Sequence, residues 1–315
     1  MLKKDLISIN DLRVEEIEHI FSLTAELKGH RSLADFKGKN YAQSLSGKSL
    51  GLIFLKPSLR TRASFEVGMT QLGGHTLYLA PEDIKFGTRE ATKDFGAVLS
   101  RYLDALVVRT FAHKQLEELA EFSGIPVING LTDLLHPCQA LSDLYTIQEK
   151  KGSLKGINLA YFGDGNNVAH SLLYGCAKLG LNLTVATPVK HKPKQLVLAQ
   201  AEKQAKASGA KLILTQKPAQ AAAAADIIYT DVWASMGQES KHKQKRKDFL
   251  GFQVNQKLLA QAKSDCLVMH CLPAHRGEEI TSQVIDGPNS VVLDQAENRM
   301  HVQKAILLLL LEGRN

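Results

Sequence analysis

"SLGLIFLKPSLRTRASFE", residues 49–66, runs from an unbroken apolar segment through a proline-marked turn into a helical pattern. An apolar run without alternation predicts a strand buried on both faces, and the Pro57–Ser58 pair predicts a helix start just after it. The turn also crowds Lys56, Arg60 and Arg62 beside Ser58 and Thr61 at the strand's carboxyl end. Apolar runs of the same kind recur at 75–80, 105–109, 125–130, 157–163, 181–187, 211–215, 225–230, 266–270 and 290–294. Helical patterns fill 61–72, 91–103, 136–150, 166–179 and 193–208, after an amphipathic helix over 11–28. Strand–helix alternation of this kind predicts an α/β fold of two domains, each a mostly parallel β-sheet flanked by helices. The turn "KKGSLKG" (150–156) after the helical stretch 136–150 puts the boundary near residue 136. The expected domains are 1–135 and 136–294, with a C-terminal helix from about 295 to 315 returning to the first.

A length of 315 residues suits two such domains, and 44% hydrophobic with 23% charged residues is the balance of a soluble globular chain. The opening "MLKKDLISINDL" has no apolar core of a signal peptide, and "AILLLLL" (305–311) is too short to span a membrane, so a cytoplasmic enzyme is expected. Cys138, Cys176, Cys266 and Cys271 show no metal-binding spacing and are expected as reduced thiols. Of the net charge of +7, five positive charges sit in "KHKQKRK" (241–247); removing them leaves +7 − 5 = +2. That run holds no aromatic residue to stack on bases, so a solvated mobile loop is expected and no nucleic-acid partner.

Ligands of open α/β sheets collect beyond the carboxyl ends of strands, where helix N-termini present free N–H groups, and the polar clusters fall there. In "KPSLRTR" a helix beginning near Ser58 turns the amides of Leu59, Arg60 and Thr61 outward. Arg60 adds a fork matched to phosphate and Thr61 a hydroxyl donor, although ordinary capping explains the same residues. Arg109 ends "ALVVR"; taken singly, such an arginine snorkels to the surface. In "HPCQ" (136–139), a helix starting there sets His136 and Gln139 on one face, able to hold a carbonyl and an amide, or to cap and be solvated. "HCLPAHRGEEI" (270–280) places Cys271 beside a turn proline, where a thiol pKa can be lowered, against the alternative of a buried inert cysteine. "DVWASMGQE" (231–239) offers Asp231, Ser235 and the flexible Gly237, a set suited to an amino-acid zwitterion or to a generic turn. "FGDGNNVAHS" (162–171) looks like a dinucleotide loop but lacks the third glycine.

Together "SLRTR", "HPCQ", "FGDGNN", "DVWASMGQE", "HCLP" and "AENR" (296–299) resemble, in the same order, the motifs of the aspartate/ornithine carbamoyltransferase family, nearest its ornithine-using members. The resemblance covers essentially the whole chain. It implies transfer of a carbamoyl group from carbamoyl phosphate, bound by the first domain, to the side-chain amine of L-ornithine, bound by the second. It also implies no metal, no organic cofactor and a homotrimer with active sites near subunit interfaces. By the same resemblance Ser58, Leu59, Arg60 and Thr61 grip the phosphate with Arg109, and His136 and Gln139 hold the carbamoyl group. Cys271, Leu272 and Arg299 match residues lining that pocket, and Asn167, Asp231, Ser235 and Met236 match positions that bind ornithine. Lys85, within "DIKFGTRE" (83–90), matches the contact that a neighbouring subunit lends.

The residue types suit the reaction. Negative charge develops on the carbonyl oxygen and the leaving phosphate, and donors such as Arg60, Arg109, Thr61 and His136 would stabilise both. Asp231 and Cys271 are the candidates for orienting the amine and easing its deprotonation. Other amines compete as acceptors. Aspartate enzymes lack the D-x-x-x-S-M-G stretch, and putrescine lacks the carboxylate that stretch would hold. Leu59, where ornithine enzymes usually carry threonine, points toward enzymes for N-acylated ornithine, but an intact Asp231 suits a free amino group. A nicotinamide dehydrogenase would rest on "FGDGNN" and a nucleic-acid binder on "KHKQKRK"; neither accounts for polar clusters at several strand ends.

Overall fold

A computed structural model describes residues 4–29, 40–81, 84, 90–234 and 242–312. The chain divides into two compact units, Met1–Leu141 with Arg299–Asn315, and Ser142–Asn298.

In the first unit α1 (Val14–Lys28) precedes β1 (Ser49–Phe54), α2 (Leu59–Gln71), β2 (His75–Leu79), α3 (Thr92–Leu99), β3 (Ala105–Arg109), α4 (His113–Phe122) and β4 (Val127–Leu131). The sheet is wholly parallel in the order β2-β1-β3-β4. β1 and β3 are buried on both faces, which is why their sequences run apolar without alternation, while β2 lies at the edge and is half exposed. Helix α5 (Pro137–Lys151) begins in this unit and ends in the second.

The second unit continues with β5 (Asn158–Phe162), α6 (Asn167–Leu179), β6 (Asn182–Ala186), α7 (Gln195–Ser208), β7 (Leu212–Thr215), α8 (Pro218–Ala222) and β8 (Ile227–Thr230). α9 (His242–Asp248), α10 (Gln256–Leu259), β9 (Leu267–His270) and α11 (Ser282–Ile285) follow. Its parallel sheet has the order β7-β6-β5-β8-β9. α12 (Val292–Leu311) begins in the second unit and ends in the first. There its apolar run 305–311 supplies core, and Lys304, buried with its pKa pulled down to about 8 by desolvation, donates to Gln71 Oε1 on α2 at 3.0 Å.

The fold is the α/β architecture expected, with three corrections in detail. The run 290–294 is not a strand. Only Ser290 bridges β9, at Val268, and α12 starts at Val292, with Leu293 77% exposed where a central strand would have buried it. The basic run 241–247 is not a solvated loop over its described part. Residues 242–248 form α9, anchored by the buried Lys245, which pairs with Asp164, and by Asp248, which pairs with His191 Nε2 at 2.9 Å. Phe249, just past α9, stacks on Trp233 with ring centroids 5.4 Å apart. The short α8, α10 and α11 and the longer α4 lay outside the helical patterns named from sequence; three of the four are five residues or fewer, too short to show a period.

Candidate active site

Strand order reverses between β1 and β3 in the first sheet and between β5 and β8 in the second, and crevices at such switch points take ligands. The polar motifs gather beyond those strand ends.

In the first unit, Ser58 is the N-cap of α2 but its side chain makes no capping bond, so the outward amides of the first turn are left to another acceptor. The cations crowded in the sequence separate in space. Lys56 is buried, paired with Asp133 and set 4.1 Å from the Phe111 ring centroid. Arg62 donates to Glu66 Oε1 at 2.9 Å and lies over the Tyr78 ring. Arg60 alone of the three lies near enough to act on Arg109. Arg109 does not snorkel: it is 4% exposed, and its Nε meets no hydrogen-bond partner among the described residues. Burial, then the positive charges of Arg299 and Arg60, pull its pKa down to about 10. His136, just ahead of α5, is buried, and desolvation with Arg299 and Arg109 beside it holds its pKa well below the ordinary range. The imidazole is therefore neutral at physiological pH. Gln139 is buried in the first turn of α5, not solvated. Arg299 Nη2 donates to the buried Thr61 Oγ1 at 2.7 Å, which leaves the threonine's own hydroxyl proton available to an acceptor. Leu59, the first residue of α2, is 79% exposed. Lys85 lies outside the described residues.

Arg109 and His136, their pKa values lowered first by burial and then by the arginines beside them, form with Arg60 and Arg299 a cradle that a dianion would relieve.

In the second unit Asp231, just past β8, is the hub. Its Oδ2 accepts from Asn166 Nδ2 at 2.7 Å, and its Oδ1 accepts from the Val232 amide at 2.8 Å and the Cys271 thiol at 2.9 Å. This corrects the reading of Cys271. Burial and then the negative charge of Asp231 push the thiol pKa well above its ordinary value, so Cys271 is a protonated donor, not an activated thiolate. Asn166 also caps α6, its Oδ1 accepting from Val168 N at 3.0 Å and Ala169 N at 3.1 Å. Asn167 is the first residue of α6. Ser235 and Met236 lie outside the described residues.

The "HCLP" turn is held from beneath. His270 Nε2 and Glu279 Oε1 are 3.0 Å apart, both fully buried, and His270 Nδ1 accepts from the Leu272 amide at 2.8 Å. The same Glu279 oxygen accepts from the His275 amide at 2.6 Å, so one buried pair fixes the backbone on both sides of Leu272–Pro273. Leu272 has φ +55°, a conformation that this bracing holds in place. Sequence reading missed Asn166, His270, Glu279 and the buried Tyr229–Asp143 bond at 2.9 Å, whose tyrosine reaches Cys271.

The strand–turn–helix context of a dinucleotide loop is present at β5–α6, yet the loop is already occupied. A Cβ on Gly165 would lie 2.2 Å from Pro193 N and 2.5 Å from Lys192 C, and Gly165 N donates to His191 O at 2.8 Å. The close backbone approach that glycine permits serves the chain's own 191–193 segment rather than a pyrophosphate.

Residues 4–149 match the model of the carbamoyl-P binding domain of aspartate/ornithine carbamoyltransferases, and 155–310 match the Asp/Orn binding domain of the same proteins. The chain belongs to the aspartate/ornithine carbamoyltransferase family. Within that family it is 52% identical over 308 residues to the ornithine carbamoyltransferase of Anoxybacillus flavithermus, covering 98% of this chain and 96% of the relative. It is 51% identical to the anabolic ornithine carbamoyltransferase of Pyrococcus furiosus, covering 98% and 97%. A solved ornithine carbamoyltransferase from Pyrococcus furiosus superposes with a TM-score of 0.94, covering 99% of this chain and 98% of that one. No helix among the described residues is long and apolar enough to cross a membrane.

Proposed function

We propose that this family member transfers the carbamoyl group of carbamoyl phosphate to the side-chain amine of L-ornithine, giving L-citrulline and phosphate. The observation that carries the reading is the cation cradle of Arg60, Arg109, Arg299 and neutral His136 at the uncapped start of α2. Phosphate oxygens take the α2 amides, Arg60, Arg109 and the Thr61 hydroxyl, which Arg299 leaves free to donate. His136, kept neutral by burial and its arginine neighbours, still carries one N–H, and it gives that proton as a hydrogen bond to the carbonyl oxygen, with Gln139 on the carbamoyl amide. The amine nitrogen attacks the carbonyl carbon, the bond from that carbon to the phosphate oxygen breaks, and the departing phosphate takes the proton released by nitrogen.

The amine must first lose a proton. If it titrates like lysine, this costs roughly 4–5 kcal/mol at pH 7. Asp231 attracts and orients the ammonium, and Asn166 and Cys271 hold the carboxylate in one rotamer. Cys271 cannot be the base, because its proton is retained. Ser235 and Met236 complete the amino-acid side in this reading, and Leu272 packs beside the carbamoyl group. We infer that the chain works as a trimer to which Lys85 contributes a neighbour's contact; a monomeric mass in sedimentation equilibrium would overturn that.

Leu59 sustains a second acceptor, N-acylated ornithine. A colorimetric ureido assay with ornithine, N-acetylornithine, N-succinylornithine and putrescine separates the readings. Colour with ornithine is expected; a blank with ornithine and colour with an acylated form would move the substrate assignment.

A further inference from the structure

The connection between β9 and α11 carries a donor set that the proposed reaction leaves unused. His275 and Glu278 sit on it, and His242, the first residue of α9, faces them. His242 Nε2 is 3.0 Å from Glu278 Oε2, and His275 Nδ1 is 3.9 Å from the same oxygen. The ligand atoms of all three lie within 4.8 Å of one another. A hydrogen bond accounts for the first distance but not for the second, which is too long for one. Two imidazoles and a carboxylate are the donors of a borderline divalent ion, and bonds of about 2.0–2.1 Å around a tetrahedral zinc separate neighbouring donors by roughly 3.3 Å. The separations here bracket that value, and the two histidine side chains are open enough to solvent to close it by rotation.

The platform under two of the ligands is rigid. Gln253 Nε2 donates to Gly277 O and Glu278 O, each at 2.9 Å, Val254 N to Glu279 O at 2.8 Å, and Gly277 N to Ile280 O at 2.8 Å. The other convergent set among the described residues, Asp231, His270 and Cys271, is satisfied internally: both nitrogens of His270 are bonded and Asp231 already accepts from three donors. That set has its donor atoms engaged, whereas His275 Nδ1 lies too far from Glu278 for a hydrogen bond.

We propose that His242, His275 and Glu278 bind one divalent transition-metal ion, zinc by donor preference, with a remaining position for water. The ion staples the start of α9 to the β9–α11 connection. Chelator-stripped full-length protein titrated with zinc chloride in a calorimeter should bind one equivalent, with slower hydrogen exchange in α9. His242→Ala and, separately, Glu278→Gln should each weaken binding at least about tenfold. Cobalt(II) in place of zinc should give d–d bands without a thiolate charge-transfer band. No binding by the unsubstituted protein, unchanged affinity in both variants, or a thiolate band that places the ion at Cys271 would each overturn the site.

Discussion

Arg109→Met tests whether the cradle is built for a ligand or for the fold. Arg109 ends β3 almost wholly buried, among Arg60, Arg299 and His136, and its pKa is pulled down to about 10. At about 1.4 kcal/mol per pKa unit, the gap from arginine's ordinary value corresponds to roughly 3 kcal/mol held against the folded state. The folded pKa lies below the unfolded one, so the penalty is fully present at every pH below about 10 and is relieved only as pH rises toward the unfolded value. Methionine keeps the apolar stem and removes the charge. Without ligand, in a phosphate-free buffer, the variant should therefore melt no lower than the parent and up to about 10 °C higher, at roughly 2–4 °C per kcal/mol for a unit of this size. Orthophosphate or carbamoyl phosphate should stabilise the parent by about 2.7 kcal/mol at a hundred times Kd, seen as a higher melting temperature, and leave the variant's nearly unmoved. Differential scanning fluorimetry with and without orthophosphate reads both arms. A variant that loses 3–5 kcal/mol, as when a buried ion pair is broken, and keeps its response to phosphate would refute the reasoning, because Arg109 would then have a counter-ion inside the protein.

Leu59→Thr should leave stability within about 0.5 kcal/mol, because the side chain is mostly solvent-exposed, and should tighten carbamoyl phosphate by about 0.5–1.5 kcal/mol, roughly 2- to 12-fold in KM. An unchanged KM would show that the backbone N–H at 59 already does all the work. Gly165→Ala should cost about 1–3 kcal/mol or more in urea unfolding, because its Cβ meets backbone atoms of 191–193, and wild-type stability would dismiss that close approach. Cys271→Ala removes one donor to Asp231 and should raise the ornithine KM about fivefold for a bond of about 1 kcal/mol. The native Cys271 thiol should resist iodoacetamide at pH 8, and rapid labelling would show an accessible thiolate. Because its folded pKa is raised, the stability tied to that thiol is complete below about pH 8.5 and declines as pH rises and the unfolded thiol ionises.

What was legible in the sequence was local. "SLGLIF" and "ALVVR" announced central parallel strands because both faces of β1 and β3 are buried, and "KPSLRTR" announced a helix start because proline and serine there have few other uses. What was illegible depended on partners far along the chain. Nothing near Glu279 says that it meets His270 from beneath the "HCLP" turn, nor anything near Lys245 that it will be buried against Asp164, 81 positions away. A run of five cations reads as solvated because lysine is seldom buried, and here a single distant carboxylate reverses that for one of them. The Cys271 reading failed for the same reason. A turn proline is visible in sequence, but a carboxylate from β8's end that raises the thiol pKa is not.

The two units use opposite electrostatics, and each suits a different partner of the proposed reaction. The first holds Arg109 buried beside Arg299 and Arg60, a charge that a dianion such as phosphate would neutralise. The second holds a carboxylate already accepting from an amide, a carboxamide and a thiol, which leaves it little lone-pair capacity. A carboxylate so loaded is held in one orientation, suited to attracting an ammonium and fixing its direction. The phosphate freed as the carbamoyl bond breaks is itself a base, so in the proposed reaction it is the acceptor for nitrogen's last proton and needs no further protein base.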